Sequence, residues 1–229
     1  MTSTVAIIPA RGGSKGIPRK NLVDICGKPL IAWSILQALN AKHVDSVWVT
    51  SDDEEILAVA ESFGARPIRR PSEISDDKAT SESAWLHALD AIEELGISIE
   101  LVVAVQATSP IRESTDIDSA LLMLRSQQFD TLMTVAEVED YFMWRISEDG
   151  VADSVNYDFM NRKRRQQLEK RYLENGSFYI FRPVHLRNTN NRLGGRIGMF
   201  VMPRHKMFQV DHPEDIQLCE IVMRGFKLT

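Results

Sequence analysis

Residues 4–21 read TVAIIPARGGSKGIPRKN. The first seven, Thr4 to Ala10, form an unbroken apolar run with no alternation, the pattern of a strand buried on both faces. The run opens into a loop with two adjacent glycines, a serine and four cations, Arg11, Lys15, Arg19 and Lys20. Gly12, Gly13 and Ser14 can turn backbone N–H groups toward an anion, while Arg11, Lys15 and Lys20 bring charge to it. The expected ligand is a nucleotide phosphate, with Gly16 and Pro18 shaping the loop. The spacing fits neither G-x-x-x-x-G-K-[ST] nor G-x-G-x-x-G. A glycine turn with solvated cations is the plainer alternative, and the preceding strand weighs against it.

Outward from this stretch, strands and helices alternate. PLIAWSILQAL (29–39) has helical spacing, VDSVWVTS (44–51) reads as a strand, and DDEEILAVAESFG (52–64) opens with acids suited to a helix start and ends on a capping glycine. ARPIRRP is short and extended, SESAWLHALDAIEELG helical, ELVVAVQA (100–107) a third long strand, STDIDSALLMLRSQ helical and DTLMTVAEV a strand. This order predicts an α/β fold, a doubly wound, mainly parallel sheet of Rossmann-like type with helices on both faces. Ligands of such sheets bind outside the carboxyl ends of the strands, where the glycine loop lies. From residue 139 to 174 the pattern dissolves into polar and aromatic sequence that cannot bury itself alone. The chain therefore divides into a core of residues 1–138 and 175–229 and an inserted arm of residues 139–174, which either lids the site or, the favoured reading, packs on a partner subunit.

Composition limits the partners. With 44% hydrophobic and 26% charged residues over 229, the chain is an ordinary globular protein. A net charge of -5 argues against nucleic acid as a partner, so any anion site is local. Two cysteines, Cys26 and Cys219, sit in apolar settings and read as reduced core thiols, which with the absence of a leader pattern or a long apolar run predicts a cytoplasmic protein off the membrane.

Five pieces in order, IPARGGSKGIPRKN, RRPSEISDDKATSE, QATSPIR, RRQQLEKRYLENGSFYIF and FQVDHPEDI, resemble the CMP-sialic acid synthetases, or acylneuraminate cytidylyltransferases. The resemblance covers nearly the whole chain and implies a nucleotidyltransferase that couples CTP to a nine-carbon keto sugar acid. It places Arg11, Ser14, Lys15 and Asn21 on the nucleotide, with Arg11 and Lys15 on the triphosphate, beside Gly12, Gly13 and Lys20. It places Arg70, Ala79 and Ser81 on the cytosine and ribose, Gln106, Arg165 and Tyr179 on the sugar acid, and Asp211 on Mg²⁺. Arg11, Lys15 and Asp211 are the implied catalytic set. Plainer readings stand beside these: Arg70 as a surface cation near a turn proline, Thr80 or Ser81 as a helix cap, RKRRQQ as a solvated face, Tyr179 as core.

One departure concerns the metal. Where the family commonly has Asp-x-Asp before the last helix, this chain reads QVD, with Gln209 in the first aspartate's place and Asp215 read as a capping acid. Such coupling requires in-line attack of the sugar's anomeric hydroxyl on the α-phosphate; metal-assisted deprotonation is the expectation, and the place of Arg165 in the arm points to a homodimer with shared sites. A non-catalytic nucleotide binder and a nucleotidyltransferase for another sugar, such as Kdo, are the competing readings.

Overall fold

The computed structural model describes residues 2–76, 79–139 and 141–229, without the side chain of Arg165. In chain order the elements are β1 (Ser3–Pro9), β2 (Asp24–Ile25), β3 (Lys28–Pro29), α1 (Leu30–Leu39), β4 (Ser46–Ser51), α2 (Glu54–Ser62), β5 (Arg66–Arg69), α3 (Ser81–Glu94) and β6 (Ile99–Val105). There follow α4 (Ser114–Ser126), β7 (Thr131–Val138), β8 (Trp144–Ile146), β9 (Ala152–Ser154), β10 (Arg171–Phe181), α5 (Pro183–Thr189), β11 (Ile197–Met202) and α6 (Pro213–Gly225). Seven strands form one sheet in the order β11-β7-β10-β6-β1-β4-β5, and every pairing in it is parallel except the two made by β10.

The unbroken apolar run of β1 has the expected cause. Ala6 and Ile8 face one core, where α1, α2 and α4 contribute Ile35, Leu57 and Leu121; Val5 and Ile7 face another, where α3 and α5 contribute Trp85, Leu89 and Leu186. All four β1 residues are fully buried, so each isoleucine stabilises the fold by roughly 1.5–3 kcal/mol. A third cluster, Ile17, Ile25, Leu30, Trp33, Ile111, Val210, Cys219 and Met223, lies off the sheet and fastens α6 to the loops that follow β1 and β6. Burial pushes the Cys219 thiol up to about 12, and both cysteines are free thiols.

The antiparallel strand has a physical reason. A parallel return needs a crossover, usually a helix. Between β7 and β10 the described residues hold the β8–β9 hairpin and two 3-10 turns, so β10 comes back against its neighbours. It also begins earlier than GSFYIF suggests. Arg171 to Glu174, assigned from sequence to the arm, pair with Val135 to Val138, and after an irregularity Tyr179 to Phe181 pair with Thr131 to Met133. The segment outside the sheet is therefore 139–170. Its aromatics stack on one another, with Phe142 on Tyr157 at 4.3 Å and Trp144 on Phe159 at 5.5 Å, yet Ile146 and Met160 remain 81% exposed. Among the described residues no helix is long and apolar enough to cross a membrane.

Candidate active site

The chain reverses its direction of winding between β1 and β6, and a crevice opens outside their carboxyl ends. Two clefts make it up. The first, about 270 Å³, is bounded by Arg11, Arg70, Ser75, Ala79, Ser81 and Gln106 among others. The second, about 360 Å³, runs past Arg11, Ser14, Lys15, Lys20, Asn21, Gln106, Thr108 and Asp211. Pro9, Arg11 and Gln106 belong to both, so the clefts meet at one wall. Every nucleotide position expected from the sequence lines one cleft or the other except Gly12 and Gly13.

Those two glycines have different surroundings. The Gly12 N–H donates to Asp52 Oδ1 at 3.0 Å, and a Cβ at Gly12 would stand 2.7 Å from Asp53 Oδ2, so only glycine lets the loop approach the end of β4 this closely. Nothing lies within 4 Å of a Cβ built on Gly13. The loop is held by other fixed partners. Asn21, buried, donates from Nδ2 to the Arg11 carbonyl at 3.0 Å. Arg19 pairs with Asp53 and Glu55, and Gly16 passes beneath Asp211, whose carbonyl oxygen would lie 2.5 Å from an added Cβ. Burial pushes the Asp53 carboxyl up, but the Ile56 and Glu55 N–H groups and the Arg19 guanidinium outweigh it and leave the group below its ordinary value. Sequence reasoning misses Asp52 and Asp53; an acid pair at the carboxyl end of a strand is their signal.

Arg70 is buried rather than a surface cation. Its Nε donates to Ser75 Oγ at 3.0 Å, and its Nη2 lies 3.9 Å from Asp52. Burial, with Arg11 repelling it and Asp52 attracting it, pushes its guanidinium down from the usual range. Two like charges close enough to repel suit a multiply charged anion. Thr80 caps α3 through Ser83 N at 3.1 Å, which orients Ala79 and Ser81 along the first cleft.

Tyr179 lines neither cleft. It is 4% exposed in the core of the α3 face, its hydroxyl hydrogen-bonds Glu174, and burial followed by that carboxylate pushes it up to about 12. Arg192 lies 4.8 Å from the Trp85 ring and 4.9 Å from the Tyr179 ring and pairs with Glu82 at 2.8 Å, next to Ser81. The backbone of Arg165 lies in a 3-10 turn of the arm, but its side chain, and the contact expected of it, fall outside the described residues.

For a metal, the donors are few. Among the described residues no three His, Cys, Asp or Glu side chains gather as a metal site. Asp211 is exposed and holds Lys20 Nζ at 2.9 Å. Asp215 accepts from the Asp211 and His212 N–H groups at 2.9 and 2.7 Å, which closes the capping box at the start of α6, where His212 is the N-cap. Gln209 turns away from both clefts and donates to the Asn175 carbonyl at 2.9 Å, against Gly176. One carboxylate fits a Mg²⁺ that arrives on phosphate oxygens and keeps its waters, since that ion is usually held by one or two carboxylates plus substrate phosphates.

The family model for cytidylyltransferases matches residues 5–193. A pseudaminic acid cytidylyltransferase of Campylobacter jejuni subsp. jejuni is 32% identical over 226 residues, 96% of each chain. An N-acylneuraminate cytidylyltransferase of Oncorhynchus mykiss is 38% identical over 182 residues, covering 77% of this chain and 40% of that one. The chain thus spans less than half of the fish relative and nearly all of the bacterial one. Among solved structures, a CMP:2-keto-3-deoxy-manno-octonic acid synthetase complexed with CTP superimposes with a TM-score of 0.73 at 18% identity, over 98% of this chain and 100% of the other. A 4-diphosphocytidyl-2C-methyl-D-erythritol synthase gives 0.70 at 13%, over 97% and 100%. At such identities the likeness speaks for the fold.

Proposed function

Since the chain belongs to the cytidylyltransferase family, we propose that it couples CTP to a nine-carbon keto sugar acid, releasing pyrophosphate and the CMP-sugar. The observation that carries this reading is the wall shared by the two clefts. Arg11 and Gln106 face both, so a nucleotide in one and a second substrate reaching it from the other can meet at one phosphorus atom. Cytosine and ribose occupy the first cleft against Arg70, Ala79 and Ser81. The triphosphate follows the loop past Ser14, Lys15 and Lys20, with Arg11 at the bend, and the sugar acid approaches along Gln106, with Arg165 as the partner for its carboxylate and Tyr179 behind.

Phosphoryl transfer leaves the protein little covalent work, so positioning and charge supply most of the acceleration. Arg11 and Lys15 offset charge on the departing pyrophosphate as the anomeric oxygen bonds to the α-phosphorus in line with the breaking P–O bond. Lys20 holds the Asp211 carboxylate, and Asp211 would hold Mg²⁺, whose contribution when bound is to neutralise phosphate charge. Gln209 takes no part in this; its amide is engaged by β10.

The reading includes a homodimer and a cytoplasmic address. The exposed apolar side chains of the arm support the first, because a patch of Tyr141, Met143, Trp144, Ile146 and Met160 calls for cover, and the two free thiols support the second. Pyrophosphate release from CTP and Mg²⁺ is the test, run with N-acetylneuraminic, pseudaminic and eight-carbon keto acids, and with ATP, GTP and UTP as controls. Release with CTP and a nine-carbon acid is expected. Release with the eight-carbon acid alone, or CTP binding without turnover on any acid, would overturn the reading. Mixed Arg165→Ala and Lys15→Ala chains should recover activity that neither has alone if sites are shared.

A further inference from the structure

The loop of residues 106–112, QATSPIR, ends in a buried charge. Arg112 is 1% exposed, yet all of its nitrogens have partners: Nε donates to Ser177 Oγ at 2.9 Å, Nη1 to Ser34 Oγ at 3.2 Å, and Nη2 to the carbonyls of Gln106 at 2.8 Å and Ser109 at 2.6 Å. One guanidinium thus ties together α1, the loop after β6 and the middle of β10. Among the described residues no carboxylate bonds it directly. Asp116 lies near enough to be felt, but its oxygens are taken by the buried Lys206 at 2.7 and 3.0 Å. Burial pushes the Arg112 guanidinium down from its ordinary range to about 9, against the pull of Asp116, so it remains a cation at neutral pH.

Stability alone does not account for a buried cation here, because a well-packed apolar side chain commonly serves a core as well or better. What the guanidinium does is close a turn. The Gln106 backbone is gripped at both ends, its N–H by the Ser177 carbonyl at 3.0 Å and its carbonyl by Arg112, while the Ser109 N–H folds back to Gln106 O at 3.3 Å. The same turn reaches the other wall of the second cleft: Val210 N–H donates to Thr108 O at 2.8 Å, immediately before Asp211. Apart from Pro9, Arg11 and Gln106, which line both clefts, the residues of the first cleft lie after β5 or at the start of α3, to which Arg112 donates no hydrogen bond.

We propose that Arg112 is a positioning residue for the transfer reaction, its guanidinium fixing the Gln106–Ser109 turn so that Gln106 and, through Thr108, Asp211 stand in register across the second cleft. The inference rests on the reading of that cleft as the place where sugar acid and phosphate meet. It predicts a split between the substrates. Arg112→Lys keeps the charge but cannot reach four acceptors in four directions. Its kcat/KM for the sugar acid should fall about a hundredfold, the scale of a small misplacement of reacting groups, while the Kd for CTP measured without Mg²⁺, which reports the glycine loop and the first cleft rather than Asp211, stays within about threefold of the native protein.

Three measurements on the full chain decide it. Steady-state kinetics and CTP titration are compared for the native protein, Arg112→Lys and Arg112→Met, and backbone hydrogen exchange is followed in the same proteins. Faster exchange in peptides over 106–112 and at the Val210 amide, with 66–76 unchanged and Tm close to native, together with the sugar-specific kinetic loss, is the expected result. Native kcat/KM in a folded Arg112→Lys, an equal loss of CTP affinity, or unchanged exchange over 106–112 would overturn the proposal. If the native protein itself turns over no sugar acid, the assignment of the cleft fails instead, and exchange still reports whether Arg112 holds the turn.

Discussion

Residues 11–21 and residues 106–112 face each other across one crevice and are held in opposite ways. Apart from Ile17 in the third apolar cluster and the buried Asn21 on the Arg11 carbonyl, the glycine loop is fastened from outside by charge: Asp52 on the Gly12 N–H, Asp53 and Glu55 on Arg19, Asp211 on Lys20. Arg19 and Asp211 are substantially exposed, so water and salt weaken their pairs and a triphosphate can compete for Lys20. The opposite wall is fastened from inside, by Arg112 and by Ile111 in the third apolar cluster, where no ligand reaches. One wall can exchange its partners on binding; the other meets the substrate already set.

That contrast can be broken at several places. The largest effect is expected at the shared residue: Arg11→Ala should lower kcat/KM about 10²–10³-fold, the scale for removing one group that stabilises transition-state charge, with little change in Tm. A loss in Tm to match would mean that Arg11 is structural. Next, Gly16→Ala sets a Cβ 2.5 Å from the Asp211 carbonyl, a backbone atom that cannot swing aside, and should cost about 1–3 kcal/mol in denaturant unfolding while weakening CTP. Gly13→Ala, with open space around it, is the control and should leave stability unchanged.

The smallest effect sharpens the comparison through pH. The His212 and then the Asp211 N–H groups hold the Asp215 carboxyl below its ordinary 3.8. A carboxyl with a lower value folded than unfolded adds stability that is present above pH 3.8 and is lost as pH falls through the folded value. Asp215→Asn should therefore destabilise by about 1 kcal/mol at neutral pH, and the difference from the native protein should vanish toward pH 2. A difference that persisted into acid would place the cap's contribution elsewhere.

The glycine loop is legible in the sequence because adjacent glycines and clustered cations directly after a buried strand stand out in the letters themselves. The clefts gather Arg11, Ser14, Lys15, Lys20, Asn21, Arg70, Ala79, Ser81, Gln106 and Asp211 as the motifs suggest. Arg112 is not legible, although it closes the QATSPIR motif, because an arginine in a sequence reads as surface unless its partners are known. Its four acceptors come from residues as far as 78 positions away. The outer half of β10, Arg171 to Glu174, is exposed and charged and so reads as loop, and its direction depends on what the intervening segment lacks rather than on the strand itself. At position 209 the departure from Asp-x-Asp is plain in the letters, but the turn of the amide toward Asn175 is a matter of packing.

The ion pair between Lys20 and Asp211 joins residues 191 apart along the chain. The third apolar cluster makes the same long reach, from Ile17 and Ile25 to Val210, Cys219 and Met223. On a ribosome, therefore, every residue that lines the first cleft leaves before Asp211 and the last apolar segments, so the second cleft is the later of the two to close.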